Sequence, residues 1–468
     1  MQEASNWIIE ETKSIDLGDK RLNKRYAEIL NSFSSKPNHS VPAACNGWAE
    51  TMGAYRFLNH KGVTPSKILS PHQEATLTRI RNERVVLIPQ DTTEIDFSGR
   101  KSLTGMGYLG AEHSLGSYVH ASFAITPERV PLGTVDLHLW TRDILGIKGT
   151  RRKRPIEEKE AYCWIKSYEA CNKIALAVPN TAIITIADRG GDIYELLEKL
   201  PSETNKAYWL VRSNQDRMLV DEKNKKLEFN LREAVENTKS LGTIEFTLSE
   251  GMIYARNKKR TPRTPRPIQQ EVRACSLILK APSRSGKKLE PIRINVIHCV
   301  EINAPNEEEK IEWFLLTSYP VTDAIEAIQI VKWYLCRWEI ELFFKVLKSG
   351  CAIEELQFDT FKGISNCLAF YMIVAWRIMY LTMLGRQCPD LDCSVVFERS
   401  EWQSLYAIAK KTSPPKIPPT LNEIILMIGK LGGFLGRKSD RYPGYQAMWI
   451  GIQRMRDFAI AWETFRGL

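Results

Sequence analysis

The chain has 468 residues and a mass of 53.6 kDa, room for roughly two to four domains around a large core. A formal net charge of +10 and a pI near 9.0 favour an acidic partner, with nucleic acid fitting best. The ten cysteines are scattered without a Cys-x-x-Cys pair, and no histidine lies close to Cys388 and Cys393. That pattern argues against a disulfide scaffold and against zinc, and reads as reduced, mostly buried thiols of a cytosolic protein. Met1-Gln-Glu-Ala-Ser-Asn opens the chain without the basic and then apolar run of a secretory signal.

Residues 1–68 read as helical and basic. Leu22, Tyr26, Ile29, Leu30 and Phe33 make one apolar stripe, from which Lys20, Arg21, Lys24 and Arg25 stand away. A second helix is expected from Ala43 to Asn59 and contains Gly53-Ala-Tyr-Arg56-Phe. Such a unit could lay Arg25 and Arg56 on DNA phosphates or base edges, and it could equally be a helical cap with solvated cations.

From Arg84 the pattern changes. Val85-Val-Leu-Ile-Pro is a buried strand with Asp91 at its carboxyl end, and Val119 to Ile125, Thr126-Pro-Glu-Arg129 and Leu132 to Trp140 make a hairpin. A basic loop, Lys148 to Arg154, precedes a helix from Glu157 to Ala175. Ala182-Ile-Ile-Thr-Ile-Ala is a second buried strand, ending at Asp188 in Asp188-Arg189-Gly-Gly-Asp192, and a helix from Tyr194 leads to a strand from Tyr208 to Ser213 that carries Arg212. Residues 214–310 read as a β-rich insertion, with strands at Thr243 to Ser249, Glu271 to Leu279 and Ile292 to Val300. Its cation-rich, acid-free loop Arg256 to Arg266 is either a surface turn or a contact to phosphates. Trp313-Phe-Leu-Leu-Thr resumes the main layer.

One helix of about 26 residues is expected from Asp323, with Glu326 completing a capping box, to a stop at Gly350. With Tyr334 at zero, Arg337, Glu341 and Lys348 fall near roughly 300°, 340° and 320° around its axis. Four polar side chains then share a stripe, opposite Leu335, Cys336, Ile340, Phe343, Val346 and Leu347, with Glu339 the exception on that apolar side. Alone, such a stripe also fits a solvated face. Residues 366–468 read as helical. Cys367 to Leu384 is apolar enough to raise a membrane question, but Arg377 at its centre and Tyr371, Trp376 and Tyr380 inside it favour a buried helix.

Asp91, Asp188 and Glu341 form a carboxylate-only donor set, which suits a hard cation, Mg²⁺ or Mn²⁺. Two such ions about 3.5–4 Å apart support in-line displacement at phosphorus.

The motifs together carry a resemblance. Tyr334, Arg337, Glu341 and Lys348 are spaced by 3, 4 and 7 residues, and the chain also has Asp91-Thr-Thr, Asp188-Arg-x-x-Asp192, Gly53-Ala-Tyr-Arg-Phe and Trp313-x-Leu-Leu-Thr-Ser. In these the chain resembles the DDE transposases of bacterial insertion sequences, in the branch marked by a Tyr-Arg-Glu-Lys signature. The resemblance implies an α/β fold: a ribonuclease-H-like catalytic core over residues 69–365 with the β-rich insertion at 214–310. A helical DNA-binding domain over 1–68 and a helical dimerisation domain over 366–468 would flank it.

It further implies a cut-and-paste transposase of the bacterial cytoplasm, associated with the nucleoid, acting on double-stranded transposon ends and target DNA as a homodimer and bound to no membrane. Asp91, Asp188 and Glu341 would be catalytic and hold two Mg²⁺ or Mn²⁺ ions per site. A hairpin intermediate would precede joining of the 3′-hydroxyl to target DNA. Tyr334, Arg337 and Lys348 would grip phosphates, Arg25, Arg56, Arg189 and Arg212 would contact DNA, and Trp313 would stack a flipped base or serve as a core tryptophan. Asp192 could instead be a helix cap. The alternatives are a nuclease of the same fold that cuts without joining, and a DNA-binding inhibitor of transposition.

Overall fold

The computed structural model describes residues 6–45, 47–100, 103–110, 114–142, 154–248, 251–254, 260–263, 265–284, 288–304, 310–437 and 440–466. Its fold is mixed α/β in two compact units, one of residues 1–148 and 338–468, the other of residues 149–337.

The first unit opens with α1 (Asn6–Thr12), α2 (Lys20–Ser35), α3 (Val41–Ala44), α4 (Trp48–Leu58) and α5 (Pro65–Ile80). Asp19 caps α2 through the Arg21 amide, and Tyr26, Ile29, Leu30 and Phe33 bury the face the periodicity picks out. The helix expected from Ala43 to Asn59 is two helices, α3 ending at Ala44 and α4 beginning at Trp48. Helix α5 runs without a break across residue 68.

Strands β1 (Val85–Asp96), β2 (Gly107–Tyr108), β3 (Leu115–Ile125) and β4 (Pro131–Trp140) follow. Strand β3 pairs antiparallel with β1 on one side and with β2 and β4 on the other. The expected hairpin is present, and its turn places Arg129 at φ 69°. Strand β1 continues beyond the apolar run, so Asp91 lies within it, opposite Ala121, and not at its end. Thr92, Thr93 and Ile95 suit the half-exposed pleat that extends the ladder to Asp96.

In the second unit the helix expected from Glu157 is shorter. A 3₁₀ turn at Ile156–Glu158 precedes α6 (Tyr162–Ala177). Strand β5 (Ala182–Ala187), helix α7 (Tyr194–Leu197) and β6 (Tyr208–Arg212) make a parallel pair with a one-turn crossover helix. The β-rich stretch holds β7 (Met218–Val220), β8 (Lys226–Asn230), α8 (Leu231–Glu236), β9 (Gly242–Leu248), β10 (Gly251–Tyr254), β11 (Arg260–Arg263), β12 (Arg266–Leu279) and β13 (Ile292–Glu301). Strand β14 (Glu312–Thr317) pairs antiparallel with both β6 and β13. The unit's sheet therefore runs β5-β6-β14-β13-β12-β7-β8, with β9 also on β12, so the insertion widens one sheet. Strands β10 and β11 form a separate hairpin. Lys148 to Lys153, most of the first basic loop, and 255–259 and 264 of the second lie outside the described residues. Arg266 pairs with the buried carboxylate of Glu301, so its guanidinium is engaged within the protein.

Helix α9 (Ala324–Leu335) closes that unit and α10 (Trp338–Lys345) resumes the first. The single 26-residue helix is thus interrupted by a turn at Cys336-Arg337, and a π-helical turn occupies Val346–Gly350. One uniform rotation per residue does not carry from Tyr334 to Lys348 across those two breaks. Asp323 caps α9 through the Glu326 amide, but the Glu326 carboxylate reaches Thr322 instead of closing the box on Asp323. Gly350 does not terminate the helix by a left-handed turn; Ala352 has the positive φ, 47°.

The C-terminal part contains α11 (Phe361–Gln387), α12 (Arg399–Lys410), α13 (Leu421–Leu431) and α14 (Tyr445–Arg466). Among the described residues α11 is the one helix long and apolar enough to cross a membrane, and 89% of its apolar window is buried inside the protein. Arg377 within it donates to the Val396 carbonyl at 2.8 Å, and burial pushes its pKa down to about 10.

Candidate active site and nucleic-acid interface

In the second unit, the run Ala182 to Ala187 is buried almost throughout, and the chain leaves it at Asp188, where open α/β sheets place functional side chains. The Asp188 carboxylate accepts from the Gly190 amide at 2.7 Å, which fixes it at the head of the Arg189–Gly191 turn. A Cβ on Gly191 would stand 2.5 Å from that of Ala187, so the turn requires glycine there. Asp192 closes the Arg189–Gly191 turn as its C-terminal cap residue and does not cap α7, whose N-cap is Ile193. It is buried and accepts from the amides of Asn214 (2.7 Å) and Gln215 (2.9 Å) and from the Arg217 guanidinium, tying the turn to the chain beyond β6.

Tyr334 lies in the last turn of α9 with its ring buried. Burial pushes its pKa above the ordinary phenol value, and the Asp188 charge pushes the same way, while Arg337 and Arg212 oppose both. The hydroxyl therefore stays protonated at neutral pH and bonds with Arg337 and Arg212. Burial also lowers the pKa of Arg212, and Arg189 and Arg337 add to the positive field around it. Arg189 is exposed, while Arg212 and Arg337 are half-buried. Residues from 188 to 337 thus meet as one acid, one phenol and three guanidinium groups, a surface suited to a phosphate beside a cation.

Trp313 borders this cluster. Its indole stacks on Phe246 at 5.7 Å between centroids and meets Tyr334 edge-on, and it remains half-buried. Arg212 donates to the carbonyl of Glu312, the residue before it, at 3.3 Å.

In the first unit, half-exposed Asp91 accepts from the Thr92 amide at 2.7 Å. The Thr92 hydroxyl is 2.8 Å from His120 Nδ1 on β3. Glu341, half-exposed on α10, belongs to a helix packed on β1. Lys348 lies in the π-helical turn with Nζ 3.6 Å from Glu354. These carboxylates, held at partly open positions by backbone amides or a packed helix, fit a hard divalent ion by donor chemistry. A different cluster escaped the sequence: Glu236, His298 and Glu312 bring ligand atoms within 4.8 Å of one another. It contains none of the three acids, and its residues come from separate elements, so spacing could not reveal it.

Also in the first unit, Arg25 lies against Gly53, where a Cβ would come within 2.8 Å of its guanidinium carbon, and it pairs with Glu28 at 3.1 Å. Arg56 is exposed one turn further along α4. Trp48, 79% exposed at the start of that helix, is a further candidate contact that hydrophobic periodicity does not single out.

Three family models match the sequence. A transposase DNA-binding domain covers residues 4–63, a transposase DDE domain covers 169–376, and a Tn5 transposase dimerisation domain covers 373–466. The DDE match takes in Asp188 and Glu341 and begins after Asp91. Among solved structures, a synaptic complex of piggyBac transposase with hairpin DNA is similar to this chain at 8% identity and a TM-score of 0.35, over 81% of this chain and 72% of that one.

Proposed function

We propose that this chain, which carries the DNA-binding, DDE and dimerisation domains of a transposase, is a cut-and-paste enzyme of the Tyr-Arg-Glu-Lys branch with a ribonuclease-H-like core. It binds transposon ends as a dimer, frees them through a hairpin and joins their 3′-hydroxyls to target DNA. The observation that supports this reading best is the gathering of Asp188, Arg189, Tyr334 and Arg337, all of which stand in the sequence motifs, around Arg212, which the resemblance alone implicates.

In this reading Asp91, Asp188 and Glu341 together hold two Mg²⁺ or Mn²⁺ ions. When bound, such ions activate the attacking oxygen and stabilise the leaving one. The protein's own part is grip and orientation. Arg337 and Arg212 each donate to non-bridging phosphate oxygens, the protonated Tyr334 hydroxyl orients them, and Lys348 adds a point charge. Water attacks phosphorus at the transposon end, and the 3′-oxygen leaves as a hydroxyl. That hydroxyl then attacks the opposite strand, closing a hairpin and releasing the flanking 3′-oxygen. A second water opens the hairpin, and the regenerated 3′-hydroxyl attacks target DNA. Trp313 receives a base unstacked by the tight hairpin bend, a contact worth about 1–3 kcal/mol. Arg25 and Arg56 hold the end through its backbone.

The test is a joining reaction with a pre-cleaved end and supercoiled target in Mg²⁺. Joined product that disappears in Glu341→Ala and Asp188→Ala, with end binding retained, supports the reading. Cleavage of uncut ends without any joined product would make the chain a nuclease. Metal-dependent nicking that persists in Glu341→Ala would remove that residue from the chemistry.

A further inference from the structure

Within the first unit, two contacts run from the C-terminal helix α14 to the segment that carries Glu341 and Lys348. At one end, Glu339 is only 3% exposed, although it opens α10 between Trp338 and Ile340. Its carboxylate accepts from the Arg129 guanidinium of the β3–β4 turn at 3.4 Å and from the Tyr445 hydroxyl at 3.5 Å. A buried carboxylate is tolerated only where donors surround it, so removing either partner is costly. At the other end, Gly350 closes the π-helical turn against the Trp449 indole, and a Cβ there would lie 2.9 Å from the ring. Tyr445 and Trp449 are four residues apart on α14 and so share one face. Between the two contacts lies a segment that changes from α to π geometry, a change of pitch common at functional sites.

We infer that α14 acts as a positioning element for the catalytic segment: Tyr445 through Glu339, and Trp449 through Gly350, fix the register of residues 338–350 and so the placement of Glu341 and Lys348. Helix α14 lies in the region matching the dimerisation domain, which gives that region a second role. The inference rests on the reading of Glu341 as a metal ligand.

The test uses the full-length chain with Gly350→Ala, Tyr445→Phe and Trp449→Leu, and the double variant Gly350→Ala/Trp449→Leu. Hydrogen–deuterium exchange over residues 338–350 is measured first, without metal or DNA. Each single variant is expected to speed exchange there while leaving residues 85–96 of β1 unchanged. Nicking of a transposon end is then titrated with Mn²⁺. Half-saturation is expected to rise roughly tenfold, with end-DNA affinity unchanged, and the double variant recovers most of the loss because the smaller side chain makes room for the methyl. Folded single variants with wild-type exchange and wild-type Mn²⁺ response overturn the inference. So does a loss of folded protein whose folded remainder responds normally to Mn²⁺. Failure of the wild-type chain to nick would instead count against the functional reading, and the exchange data would still decide whether α14 fixes the segment.

Discussion

The indole of Trp313 meets the ring of Tyr334 edge-on, with 5.3 Å between centroids and 63° between planes. Tyr334 lies in the last turn of α9 and Trp313 near the start of β14, and the pair joins the proposed phosphate-binding cluster to the proposed base platform. The indole also stacks on Phe246, so the tryptophan packs against the sheet while staying only half-buried. Trp313→Ala should therefore leave first-strand nicking within a few-fold of wild type and cut hairpin yield by roughly tenfold or more, the equivalent of about 1–3 kcal/mol of stacking. Gel analysis of nicked and hairpin products from one labelled end checks this. Equal loss of both products would make Trp313 a packing residue only.

Asp192 predicts an effect on stability and not on metal use. Its carboxylate, itself out of solvent, satisfies two backbone amides and the Arg217 guanidinium. Asp192→Ala strands those donors and should destabilise the chain by about 3–5 kcal/mol, while Asp192→Asn, which keeps an acceptor oxygen, should cost less. Denaturant unfolding of the three proteins checks the order.

The sequence was most legible where a short apolar run met a glycine-rich stop. Asp188 after Ala182 to Ala187 is such a place, and the structure puts it there. Asp91 was misplaced by several residues because Thr92-Thr-Glu-Ile-Asp reads as polar, yet its β-branched side chains pair with β3 and prolong the strand. The break at Cys336-Arg337 has no glycine or proline to announce it between residues 324 and 349. Glu339 stood out only as a charge on an apolar face. Its partners, Arg129 and Tyr445, are more than a hundred residues away in sequence, so the reason for its burial was not local.

His120 sets a pH dependence. Burial pushes its pKa down to about 3, with the neighbouring His138 acting in the same direction, against an ordinary value of 6.5. The imidazole is thus neutral in the fold, and the unfolded chain binds more protons between pH 6.5 and about 3. Stability contributed by this group is complete above 6.5 and falls as pH drops through that window, by about 2 kcal/mol at pH 5. Comparing unfolding free energies at pH 7 and 5 for wild type and His120→Gln checks it. The variant should lose about that much of the pH sensitivity, and an unchanged difference would mean that the histidine protonates in place.

Gly53 separates DNA contact from folding. It lies within α4, where glycine is about 1 kcal/mol less favourable than alanine. A methyl group there meets only the far end of Arg25, 2.8 Å from its guanidinium carbon, and that side chain can swing away. Gly53→Ala should therefore leave the protein as stable or slightly more so, yet weaken binding to transposon ends by displacing Arg25. Arg56→Ala, on an exposed position of the same helix, should reduce the slope of log affinity against log salt by about 0.9 for a single lost phosphate contact. Gly53→Ala should approach the affinity of Arg25→Ala without removing any charge from the chain. Thermal unfolding and end-DNA titrations between 50 and 200 mM salt would read both quantities on the same preparations. A Gly53→Ala protein that bound ends as tightly as wild type would mean that Arg25 serves its ion pair with Glu28 and not the DNA.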